Sequence, residues 1–169
     1  LTKQAYGWPE DEHFLVPPEV PAHMSQAGAR GQELEAEWNR RFAAYQNEYP
    51  ALAARFAEAL AGELPHNWDR NIPLFAPGDG AMATRVASGK VLHGFAERVP
   101  WVVGGSADLA PSTKTLLPDG SYFGKKSYTR RNIAWGIREH AMAGCASGMA
   151  LHGGLRPYVA TFFVFTDYA

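Results

Sequence analysis

The 169-residue chain has a single cysteine, Cys145. One cysteine closes no internal disulfide and builds no thiolate metal site, and inside an apolar run of small residues it reads as a buried filler in a reducing compartment. An excess of charge of one sign is also missing, since 16 basic side chains face 17 acidic ones. So weak a field draws in neither nucleic acid nor an anionic membrane, which leaves small molecules and proteins as the expected partners. No apolar run approaches the ~20 residues that span a bilayer, and no leader pattern opens the chain, so the expected location is the cytoplasm. His93, His140 and His152 lie apart, with no second imidazole or carboxylate at ligand spacing, and no metal is expected on this stretch. An initiating Met is absent and the chain stops at Ala169 in what reads as a helix start, which predicts an internal piece of a longer enzyme. What is present, 46% hydrophobic and 20% charged residues, is the balance of a globular domain.

Three stretches differ in pattern. Residues 1–30 carry Pro9, Pro17, Pro18 and Pro21 among scattered apolar positions, which predicts an extended connector without a core of its own. Over 32–60, Leu34, Trp38, Phe42, Tyr45, Tyr49, Leu52, Phe56 and Leu60 recur at steps of three and four, the helical period, and predict one continuous buried stripe on a linker helix. Pro50 disfavours helix at Tyr49 and suits a first turn, so a break or kink is expected there, and Gly62 and Pro65 close the segment. After a Pro-, Gly- and Asp-rich break over 73–80, helical and strand patterns alternate: helix over 83–98, a short strand at Trp101, Val102 and Val103, a loop over 120–131, a strand over 132–136, a helix over 139–151 and a strand over 156–160. Such apolar strands alternating with helices predict an α/β fold whose parallel sheet is flanked by helices. The division is therefore a connector over 1–30, a helical linker over 31–70 and an α/β domain over 71–169. Ligands of such sheets sit beyond the carboxyl ends of the strands, and the segments 104–112, Glu139 and 161–168 all follow strands, so they converge on one edge.

The richest segment is Trp135-Gly136-Ile137-Arg138-Glu139-His140-Ala141-Met142-Ala143-Gly144, where an acid, a guanidinium and an imidazole adjoin at the start of a helix of small residues. A helix start favours a carboxylate while burial disfavours its charge, and a carboxyl between those influences suits proton exchange with a ring nitrogen. On local features alone such a triplet is more often a solvated cap than a catalytic centre. Ala143, Gly144, Ala146, Ser147, Gly148 and Ala150 make this helix thin, so another backbone is expected to approach it, from a two-fold partner or from the parent sheet.

Two further motifs flank that segment: Gly104-Gly105-Ser106-Ala107-Asp108-Leu109-Ala110-Pro111-Ser112 before it, and Leu151-His152-Gly153-Gly154-Leu155-Arg156-Pro157-Tyr158 after it, running into Thr161-Phe162-Phe163-Val164-Phe165-Thr166-Asp167-Tyr168-Ala169. In this order and at these separations they resemble transketolase, specifically over 83–169 and more weakly over 8–65. The resemblance implies thiamine diphosphate bound between two subunits of a homodimer. The partner's diphosphate-binding domain would hold the diphosphate and a magnesium or calcium ion, whose ligands lie outside this stretch, and residues 71–169 would form the first part of the pyrimidine-binding domain. The family glutamate that hydrogen-bonds the pyrimidine N1′ matches Glu139, and the aromatic residues lining the aminopyrimidine pocket match Phe162, Phe165 and Tyr168. Three-residue spacing puts those rings on one helix face, which taken alone also describes core packing.

The family arginine that binds the sugar phosphate matches Arg85, and the serine that shares it matches Ser112; locally, these are also a solvated helix arginine and an N-cap serine. Asp108, in the same loop as Ser112, is expected to face the cofactor or to hold the loop in shape. Gly78-Asp79-Gly80 imitates the start of the family's magnesium motif, but the required asparagine pair is missing nearly thirty residues on, so Asp79 reads as a turn residue. The implied activity is transfer of a two-carbon ketol unit between phosphorylated sugars, as in the pentose phosphate pathway, by an enzyme of which this stretch alone is inactive. A dihydroxyacetone synthase-type relative, the pyrimidine-binding subunit of a split enzyme and a noncatalytic α/β interaction module remain open.

Overall fold

Helix dominates the start of the chain. The computed structural model describes residues 1–118 and 120–169, which fall into two compact units, Leu1–Ala53 and Ala54–Ala169. In the first, a short α1 (Thr2–Ala5) precedes the long α2 (Glu19–Glu48). The extended reading of 1–30 is thereby corrected: α2 begins directly after Pro18 and accommodates Pro21 in its first turn. The first amides of a helix have no intrahelical acceptor, so proline sacrifices nothing there.

The aromatic periodicity is real. Trp38 stacks on Phe42 with centroids 5.9 Å apart, and Tyr45 meets Tyr49 at 5.4 Å. Its burial is not: α2 has no buried residue, and Trp38 is 51% exposed. The predicted buried stripe is an aligned, exposed one, because a single long helix offers no opposing layer of its own. The chain breaks where expected, at Tyr49 (φ −131°, ψ 63°), and α3 (Pro50–Ala61) restarts with Pro50 in its first turn. Gly62, at φ +73°, closes α3.

The second unit contains α4 (Thr84–Arg98), β1 (Val102–Ser106), α5 (Ala110–Thr113), α6 (Glu139–His152), β2 (Arg156–Ala160) and a closing 3₁₀ turn, Phe163–Tyr168. β1 and β2 pair in parallel, with Val102 opposite Arg156 and Ser106 opposite Ala160. α6 packs on β2 and α5 on β1. The expected parallel α/β arrangement is therefore present, with one strand reduced. Over 132–136 only Asn132 joins the sheet, through a parallel bridge to Gly104. Gly136, at φ +65°, turns the chain, and Arg138 folds back to donate to the Trp135 carbonyl at 2.9 Å, so the extended run cannot continue.

Gly104 is the centre of this small sheet. It pairs with Tyr158 on one side and Asn132 on the other, and a Cβ there would run into the Tyr158 carbonyl. A glycine inside a strand here marks close backbone approach, which is why β1 continues through both glycines to Ser106 and does not stop at Val103. Asn132 is fully buried and satisfied: its Oδ1 accepts from the Leu117 amide at 2.7 Å, and its Nδ2 donates to the carbonyls of Leu117 at 3.3 Å and Ser121 at 3.2 Å. The core gathers Ala59, Ala96, Val99, Trp101, Val102 and Leu117, with Leu92, Phe95 and Tyr158 against it. Cys145 is exposed on α6, which corrects its reading as a buried filler. Among the described residues no helix is long and apolar enough to cross a membrane.

Candidate functional site

Parallel pairing brings the carboxyl ends of β1 and β2 to one edge, and the chain leaves both strands side by side. The Ala107 amide donates to the Ala160 carbonyl at 3.1 Å, so the loop after β1 and the segment beginning at Thr161 start as neighbours. Asp108 follows in the left-handed region, at φ 58°, a conformation that aspartate tolerates better than most residues. Glu139 is the first residue of α6 and is only 9% exposed.

These segments enclose a cavity of about 470 Å³ lined by Ala107, Asp108, Leu109, Ile137, Glu139, Phe165 and Tyr168. Four of the expected site residues, Glu139, Asp108, Phe165 and Tyr168, thus share one space. The last two lie on the 3₁₀ turn, whose three-residue repeat eclipses positions three apart, so their rings fall on one side. Glu139 Oε1 accepts a hydrogen bond from Thr161 Oγ1 at 3.3 Å, and Oε2 accepts none among the described residues. The triplet around Glu139 separates: Arg138 turns onto Trp135, His140 is exposed, and only the acid enters the cavity.

A second cavity, of about 380 Å³, adjoins it. Arg85, Ser88, Thr113, Thr115, Thr161 and Phe162 contribute to its lining. Phe162 therefore does not share the Glu139 cavity. Its ring stacks on Phe165 with centroids 6.5 Å apart and planes 12° from parallel, one ring lining each space. Ser112, exposed on α5, lines neither cavity, whereas its neighbour Thr113 lines the second and exchanges a hydrogen bond with Thr115 at 2.8 Å. Sequence reasoning passed over Thr161, Ser88, Thr113 and Thr115. Ser88 alone carried a local signal, since it lies three residues after Arg85 on the same face of α4.

The residues of the first cavity suit a flat heteroaromatic ring with one basic nitrogen: an aromatic and aliphatic wall, one buried carboxylate with an uncommitted oxygen, and a second acid at the rim. Among the described residues no three His, Cys, Asp or Glu side chains lie close enough to hold one ion. Asp79 acts as a turn residue, its Oδ2 accepting from the Ala76 amide at 2.8 Å.

Comparison with known proteins accounts for this arrangement. The family model for the transketolase pyrimidine binding domain matches residues 80–169, and that for the transketolase thiamine diphosphate binding domain matches 1–65. A transketolase of Bacillus subtilis is 47% identical over 99% of this chain and 25% of its own length, and a chloroplastic transketolase of Craterostigma plantagineum is 45% identical over 99% and 32%. Among solved structures, transketolase of Pichia stipitis in complex with sedoheptulose-7-phosphate superposes with a TM-score of 0.91 at 39% identity, covering 99% of this chain and 26% of that one. Transketolase of Leishmania mexicana gives a TM-score of 0.88 at 32% identity, covering 99% and 25%. The chain spans about a quarter of the length of the bacterial relatives it matches. With both segments matched, the chain belongs to the transketolase family.

Proposed function

We propose that this chain is part of a thiamine-diphosphate-dependent transketolase that moves a two-carbon ketol unit between phosphorylated sugars. It would supply the pyrimidine-binding half of the active site, over 71–169, preceded by the connector (1–30) and linker (31–70). The observation that carries the proposal is the buried Glu139 carboxylate facing an apolar cavity walled by Phe165 and Tyr168, in a family whose matched domain is named for binding the pyrimidine. When bound, the cofactor supplies the carbon–carbon chemistry, and the protein's part is orientation and proton control.

In this reading Glu139 Oε2 shares a proton with the ring nitrogen N1′, and Phe165 and Tyr168 stack on the ring and keep water from it. Asp108 borders the same space and would help to hold the cofactor there. Arg85 takes the sugar phosphate in the adjoining cavity, where Ser88 adds a neutral donor. Phe162 backs Phe165 through the ring stack, and Ser112 is kept as a phosphate ligand on the resemblance alone. A magnesium or calcium ion, a location in the cytoplasm and a role in the pentose phosphate pathway complete the proposal.

The partner would be a second copy of the enzyme, supplying the diphosphate-binding domain. What supports it is an open face of α6: a Cβ added at Gly144 or Gly148 would meet nothing within 4 Å, so their small size serves no contact among the described residues. Gly144→Leu in the full-length enzyme should lower its mass in analytical ultracentrifugation to that of a monomer; a fully dimeric, cofactor-saturated variant would count against the interface.

Glu139→Gln in the full-length enzyme tests the site. The shape is kept while the exchangeable proton is lost, so deuterium exchange at cofactor C2 should slow about a hundredfold, roughly 2.7 kcal/mol of barrier. An unchanged exchange rate removes Glu139 from the mechanism.

A further inference from the structure

Glu139 has two carboxylate oxygens, and the site needs one of them to meet the ring nitrogen. We propose that Thr161 is a positioning residue that selects which oxygen does so. The inference rests on the reading of Glu139 given above.

Three observations carry it. Thr161 Oγ1 lies 3.3 Å from Glu139 Oε1, and a hydroxyl beside a carboxylate is the donor, so Oε1 is engaged and Oε2 is left for a ligand. Both ends of this bond are anchored. Glu139 begins α6, which packs on β2, and Thr161 is the residue immediately after β2, half-buried where the Ala107 amide ties the two strand ends together. A β-branched side chain has few χ1 states, and the one adopted here turns the hydroxyl toward Glu139. Finally, Thr161 lines the Arg85 cavity while its hydroxyl bonds to the acid that lines the other, so the residue belongs to the wall between the two spaces. A threonine that only filled space would have no need to direct its hydroxyl at the one buried carboxylate of the site.

Without that bond the carboxylate can rotate, and the two oxygens compete for the ring nitrogen. The loss should show in recognition of N1′ itself, apart from turnover. The test is the affinity of the full-length apoenzyme, with magnesium present, for thiamine diphosphate and for the analogue carrying C–H in place of N1′. The quantity read is the ratio of the two dissociation constants.

Thr161→Val keeps the shape and removes the donor, and should reduce the preference for thiamine diphosphate about tenfold while leaving affinity for the analogue unchanged. Thr161→Ser should restore the preference. Glu139→Ala serves as the reference in which the preference is abolished. If Thr161→Val keeps the full preference while Glu139→Ala loses it, the inference is overturned and the reading of Glu139 survives. Weakening of both ligands alike by Thr161→Val makes Thr161 merely structural and also overturns it. If Glu139→Ala keeps the preference, the reading of Glu139 itself fails and takes the inference with it.

Discussion

The two units of the chain use helices in opposite ways. α2 is 30 residues long, carries an aligned aromatic stripe and buries nothing. α6 is 14 residues long, shows no apolar stripe, and buries Glu139, Met142 and Ala146. Periodicity therefore reports which face of a helix needs covering, and says nothing about whether the cover belongs to the same chain. Burial in α6 follows from its packing on β2, which covers Glu139, Met142 and Ala146 without any amphipathic pattern. The difference also sorts the chemistry, since every residue lining the two cavities beside the sheet lies in the second unit.

The largest contrast should appear in stability. Met142, 1% exposed, and Trp38, 51% exposed, are both large and apolar. Met142→Ala should destabilise the 169-residue chain by about 3 kcal/mol in urea unfolding, the usual result of opening a cavity in a packed site. Trp38→Ser should stay within about 0.5 kcal/mol of the parent, as surface changes do. A large loss at Trp38 would break the comparison by showing that the stripe is covered within this chain.

A smaller effect is expected from two arginines. Arg85 lines a cavity of the second unit, while Arg41 pairs with Glu37 on the exposed surface of α2 at 2.5 Å. In the full-length enzyme, Arg85→Ala should raise KM for phosphorylated substrates about thirtyfold, roughly 2 kcal/mol for a lost charge-assisted contact, and leave use of hydroxypyruvate nearly intact. Arg41→Ala should change neither. Equal losses with both kinds of substrate would make Arg85 structural.

The smallest effect belongs to the first unit and concerns pH. The hydrogen bond from Arg41, then that from Arg40, holds the carboxyl of Glu37 below the ordinary glutamate range. A lowered folded-state value means that the pairs stabilise α2 above that range and that the contribution is lost as pH falls through it. Because the group is fully exposed the loss is slight: a small drop in helical circular dichroism on acidification at low salt, much reduced at about 1 M salt and absent in Glu37→Gln.

Much of this architecture can be read from the residues. The break at Pro50, the start of α6 at Glu139 and the end of β2 follow from proline sterics, from the change of side-chain size and from the Pro157-Tyr158-Val159-Ala160 run that stops at Thr161. Three features could not be. The prolines at 17, 18 and 21 read as extended because local sequence does not tell a first helical turn, where proline is free, from a connector. The strand at 132–136 shrank to Asn132 because Gly136 turns the chain and the Arg138 side chain occupies the Trp135 carbonyl. Phe162 and Phe165, spaced as if on one face, line different cavities because the 3₁₀ turn begins only at Phe163. Thr161 was invisible for a simpler reason: a threonine after a strand carries no signal of its own, and its partner lies on another element.

The position of β1 between Asn132 and β2 has a consequence for the order in which the chain acquires shape. Synthesis runs from the amino end, so β1 leaves the ribosome with both edges bare. Its first neighbour arrives with Asn132, whose side-chain amide also bonds to the backbone of Leu117 and Ser121, a local closure of low entropic cost. The other edge waits until all of α6 and then β2 have been made. Through that interval the strand carrying Gly104 and Gly105 exposes an unpaired ladder to any other nascent chain, so its two glycines, poor strand formers by themselves, also make it a poor template for premature pairing.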